Sequence, residues 1–85
     1  MALFLIERQY AEELEIAAAD VASIQRINAD VGVNWLFSFL SADHKKTYCL
    51  YEAPSPEEIR SAARRAHLPA DVVIEVSQIR PETIV

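Results

Sequence analysis

KTYCLYEAPSPEEIRSAARRAHLPAD, residues Lys46 to Asp71, is the stretch from which the fold can be read. Its first seven residues alternate: Thr47, Cys49 and Tyr51 share one face of a strand, and Tyr48, Leu50 and Glu52 share the other. Ala53-Pro54 ends the strand, because proline removes a ladder donor and fixes φ. Ser55-Pro56-Glu57-Glu58 then opens a helix, with Ser55 as N-cap, Pro56 in the first turn and Glu58 placed for a capping box. That helix is expected to run to about His67, with Ile59, Ala63, Ala66 and His67 on its inward face, and Leu68-Pro69 stops it.

Upstream, Ser41-Ala42-Asp43-His44-Lys45 is a short polar turn, so the preceding run should pair with this strand as a hairpin. Strict alternation over Val33 to Leu40 puts Val33, Trp35, Phe37 and Phe39 on one face and Asn34, Leu36, Ser38 and Leu40 on the other. From Tyr10 to Val31 the spacing of Leu14, Ala17, Val21, Ile24, Asn28 and Val31 predicts a helix, with Glu12, Glu13 and Glu15 in its first turn. Gly32, the only glycine, falls at the left-handed position that ends such a helix. Ala2 to Arg8 and Val72 to Val76 complete the strands, and Gln78 to Val85 reads as a tail that packs on a partner. The order β-α-β-β-α-β over a single domain, residues 1–85, is ferredoxin-like α+β: a four-stranded antiparallel sheet with two helices on one face. Apolar residues on both faces of the second and fourth strands predict that a second copy covers the open face. The expected assembly is a homodimer of the dimeric α+β barrel kind.

Composition narrows the function classes. Thirteen acidic against eight basic residues give a net charge of −5, and no basic stripe is interleaved with aromatics, which argues against nucleic-acid binding. The apolar run at the N-terminus is far too short to span a bilayer and carries no leader pattern, so no membrane role and a cytoplasmic location are expected. A single cysteine excludes a disulfide framework within the chain.

Few residues carry chemistry. Cys49 is either a small core hydrophobe or a metal-binding thiolate. Glu52 is either a brace for the Ala53-Pro54 turn or a ligand, and its odd spacing from Cys49 puts the two on opposite strand faces. His67 suits a helix C-terminus as a cation and suits a metal as imidazole. Asn28 interrupts the apolar stripe of the first helix, either bonding nearby backbone or reaching into a pocket between helix and sheet. Trp35 and Tyr48 are core or interface aromatics, or the lining of a small-ligand cavity. His44 beside Asp43 reads as an exposed turn pair.

Four segments, Phe4 to Arg8, Gly32 to Phe39, Lys46 to Pro54 and Ala66 to Asp71, together resemble a family of small bacterial proteins of unknown function loosely called nickel-binding. Cys49-Leu50-Tyr51-Glu52-Ala53-Pro54 followed by the capped helix is the most specific element. The resemblance implies a ferredoxin-like dimer and a divalent transition metal such as nickel, with Cys49, Glu52 and His67 as the positions to carry over. The functions expected are a non-enzymatic metal-binding dimer, or a small enzyme or small-molecule carrier with a pocket lined by Asn28, Trp35, Tyr48 and His67, or an interaction module whose dimer is the function.

Overall fold

A computed structural model describes residues 1–83 of the chain. Its elements are β1 (Ala2–Gln9), α1 (Ala18–Asp30), β2 (Asn34–Leu40), β3 (Lys46–Ala53), α2 (Pro56–Arg65) and β4 (Val72–Val76), then a 3-10 turn over Pro81–Thr83. The last two residues of the expected C-terminal tail lie outside the described part. The sheet order is β2-β3-β1-β4 with every pair antiparallel, which is the ferredoxin-like arrangement the pattern predicts.

Side chains alternate across the sheet, so register decides which residues meet. Beneath the helices, Phe4, Ile6, Cys49, Tyr51 and Ala53 form the core with Val33 and with Ile59 of α2. Ala62 and Ala63 bring α2 close to the sheet. Removing that much apolar surface from water, at roughly 25 cal/mol per Å², is the main stabilising term of so small a domain. On the open face one row, Phe37–Leu50–Leu5–Ile74, crosses all four strands without a polar residue.

Strand β2 departs from simple alternation. Its pairing with β3 shifts between Trp35 and Phe37, leaving Leu36 out of the ladder as a bulge. Trp35 therefore faces the helices, where its indole N–H donates to Ser38 Oγ at 2.8 Å, while Phe37 and Phe39 turn to the open face and meet edge to face. The expected grouping of Trp35 with Phe37 and Phe39 is corrected by this one extra residue.

The first helix is also shorter than its spacing predicts. Residues 10–17 are irregular, because the Tyr10 and Leu14 N–H groups donate to the Lys45 and His44 carbonyls of the hairpin turn, at 2.8 and 2.7 Å. Backbone donors used there cannot make a helical turn. Glu12, Glu13 and Glu15 accordingly precede the helix, and Asp20 supplies the acidic first turn, accepting the Ala17 N–H at 3.1 Å.

Both helices end the same way. After α1, Gly32 takes φ +72°, and Gly32 and Val33 donate to the Ala29 and Asn28 carbonyls. After α2, His67 takes φ +55°, and His67 and Leu68 donate to the Arg64 and Ala63 carbonyls. These are Schellman stops, with glycine at the left-handed position in one and histidine in the other. Thus α2 ends at Arg65, and His67 lies one residue past its cap instead of on its inward face. At the other end of α2, the Ser55 hydroxyl donates to the Glu58 carboxylate and makes no bond to the helix backbone.

Candidate functional site

Beneath the late start of α1 the sheet is left partly uncovered, and a cavity of about 320 Å³ opens there. That is the lower end of the range for small-ligand pockets, roughly 300–1,000 Å³. Its apolar wall comes from Leu14, Ile16, Ile24, Ile27 and Trp35. Asn28 is the only buried residue of α1, so this helix bridges the space instead of filling it.

The floor is polar and belongs to the strands. Arg8 follows Phe4 and Ile6 in the buried phase of β1 and is 3% exposed. Its Nη1 donates to the Pro69 carbonyl, its Nη2 reaches Tyr51 Oη at 3.5 Å, and its guanidinium lies 5.8 Å from the Tyr51 ring centroid. Across the strand pair, Thr47 Oγ1 lies 3.1 Å from Tyr10 Oη and accepts from Cys49 Sγ at 3.6 Å. Among the described residues no carboxylate comes within ion-pairing distance of Arg8. Burial pushes the Tyr51 and Tyr10 phenols above their ordinary range; Arg8 pulls both the other way, as does the Thr47 bond at Tyr10. Both hydroxyls therefore stay protonated at neutral pH and can donate.

The structure sorts the candidate residues. Cys49, buried, and His67, exposed, both line the cavity, and so does Trp35, stacked at 6.4 Å on Tyr51. Asn28 does not line the cavity; its buried Nδ2 lies near enough to Tyr51 to oppose the rise of that phenol's pKa, though it makes no well-formed hydrogen bond among the described residues. Tyr48 is not a cavity residue: β3 turns it to the open face, where Lys46 Nζ lies 5.1 Å from its ring centroid. Glu52 is on that open face too, accepting from Asn34 Nδ2 at 3.1 Å. Cys49, Glu52 and His67 thus do not converge, and no cluster of three metal-ligating His, Cys, Asp or Glu side chains exists among the described residues. Sequence reasoning missed Arg8 and Tyr10. The signal for Arg8 was its phase, since a charge two residues beyond Phe4 and Ile6 shares their buried face.

Sheet order, helix placement and the cavity between them define a small ferredoxin-like α+β domain with a ligand-sized space under its first helix. The chain belongs to the SCO4226-like nickel responsive protein family, whose pattern matches residues 4–76. Among solved structures it is similar to SCO4226 from Streptomyces coelicolor A3(2), with 22% identity and a TM-score of 0.71. The match covers 93% of this chain and 100% of that one. At that identity the likeness establishes the fold. Comparison with curated proteins gives no match. No helix among the described residues is long and apolar enough to cross a membrane.

Proposed function

We propose that this protein is a non-enzymatic, homodimeric binding protein that holds a small ligand in the cavity under α1. The observation carrying this reading is the cavity itself, an apolar vault over a floor of donors and acceptors from Arg8, Tyr10, Thr47 and Tyr51. Binding is favoured over catalysis because Cys49, the one thiol, faces the Thr47 hydroxyl and not a base. The dimer is supported by the unbroken apolar row on the open face, bordered by Asn34 and Glu52 at one end and Glu7 and Lys46 at the other. An apolar centre with a polar rim is how protein interfaces are built. A cytoplasmic location completes the reading, in keeping with a fold that uses no disulfide and buries its single cysteine.

Nickel is the second reading, supported by the family's description and by Cys49 and His67 lining the same cavity. The fit is incomplete. Glu52 is on the other face of the sheet, and the Arg8 cation opposes a bare divalent ion at that floor. Calorimetric titration with Ni²⁺ and Zn²⁺ separates the two readings, using wild type, Cys49→Ala and His67→Ala. On the cavity reading the heats are weak and unchanged by either substitution. Tight, saturable heat lost in both variants makes metal binding the function.

A further inference from the structure

We infer that the cavity ligand is an organic anion, a small carboxylic acid with an apolar or aromatic body, whose carboxylate is held by Arg8. The inference rests on the cavity reading and names the chemistry of that same site.

The argument begins with an unbalanced charge. A guanidinium stays ionised at any physiological pH and presents five N–H donors. Arg8 is 3% exposed, and its assigned partners are two neutral oxygens, the Pro69 carbonyl and the Tyr51 hydroxyl. Burying a cation costs several kcal/mol unless an opposite charge and further hydrogen bonds compensate. With no carboxylate beside it among the described residues, Arg8 is a charge waiting for a counter-ion in a space large enough to admit one.

The neighbours specify which anion. Tyr51 and Tyr10 keep their protons and offer hydroxyls beside the guanidinium and beside Thr47, enough for the two oxygens of a carboxylate. Arg65, the second guanidinium lining the cavity, is exposed and already paired with Asp30 at 2.9 Å, so the buried floor holds one uncompensated cation, which matches a monoanion better than a phosphate dianion. Above that floor the walls are Ile24, Ile27, Leu14 and the face of Trp35, which suit hydrocarbon or an aromatic ring. About 320 Å³ admits roughly a dozen heavy atoms at protein-like packing. The acidic lining residues Asp20 and Glu15 are both exposed, which orients an anion's charged end away from them and toward Arg8.

Trp35 is the chain's only tryptophan and lines the cavity, so its emission reports on this site alone. The test titrates the full-length protein with 3-phenylpropanoate and octanoate, and in parallel with their uncharged amides, following Trp35 emission. The expected result is saturable change with the acids and binding roughly ten- to hundredfold weaker with the amides, the worth of one charge-assisted pair. Arg8→Gln should bring acid and amide to equal affinity. Since that variant risks misfolding, the acid–amide ratio in wild type and the acid's affinity for Tyr51→Phe carry the test independently. Acid and amide binding equally well to wild type would overturn the anion assignment while leaving the cavity as the site. Phenyl phosphate binding more tightly than the carboxylates would overturn it as well. Silence from Trp35 with all probes would instead remove the cavity reading on which the inference stands.

Discussion

Leu50→Lys is the sharpest perturbation of the proposed dimer. Leu50 stands mid-row between Phe37 and Leu5 on the open face, so its side chain points away from Phe4, Ile6 and Ile59 in the core. Each copy would lose the burial of one leucine, about 1.5–3 kcal/mol when complete. A two-fold axis applies the loss twice, giving about 3–6 kcal/mol. Leu50 is already half-covered by its own neighbours, which favours the lower end, about 3 kcal/mol. At about 1.4 kcal/mol per factor of ten, that weakens association roughly a hundredfold. Two lysines brought together at the contact push in the same direction. Sedimentation equilibrium over a concentration series measures the constant, and far-UV circular dichroism verifies the fold. The expected outcome is a wild-type dimer and a predominantly monomeric, folded variant. A monomeric wild type, or a Leu50→Lys protein that associates as tightly as wild type, would refute the reasoning.

Two further outcomes follow from the backbone and the buried phenols. His67→Gly relieves a left-handed residue that carries a Cβ, and should stabilise by about 0.5–1 kcal/mol, roughly 2–8 °C in melting temperature. His67→Ala keeps the strain and should show no such gain; equal melting temperatures for the two variants would count against it. Because burial raises the folded-state pKa of Tyr51, the folded chain keeps a proton that the unfolded chain releases. Its contribution is full below pH ~10 and is lost as pH rises through the folded pKa. Urea midpoints should therefore fall as pH rises above about 10, and fall less steeply in Tyr51→Phe. Parallel slopes for the two proteins would contradict this.

Where local chemistry and tertiary structure agree, the sequence can be read directly. The alternation of Thr47, Cys49 and Tyr51, the Pro56 helix start and the Gly32 stop are each set by neighbours in the chain, and each is found in place. The misreadings lie where a distant partner decides. Residues 11–19, AEELEIAAA, have high helix propensity, yet two backbone bonds to the hairpin turn hold their first part out of the helix. That displacement opens the cavity, so the site itself was hidden with it. Arg8 shows a different difficulty. Its phase marks it as buried, but only the fold reveals that no acidic residue among those described accompanies it. Tyr48 could not be assigned to cavity or open face until the strand order fixed which side the helices cover.

The bulge at Leu36 gives strand β2 a reading frame. Upstream of it an odd-numbered residue such as Trp35 belongs to the helix-covered side, and downstream odd numbers such as Phe37 and Phe39 belong to the outside. Leu36 is itself exposed and outside the ladder, so its identity is loosely constrained. Deleting it would close the ladder into plain alternation, with Trp35 still facing the helices and Phe37 and Phe39 still outside, whereas a deletion or insertion elsewhere in β2 would turn part of the strand over. Substitutions at this position, and its loss, should therefore be tolerated among relatives, whereas insertions and deletions elsewhere in β2 should be purged.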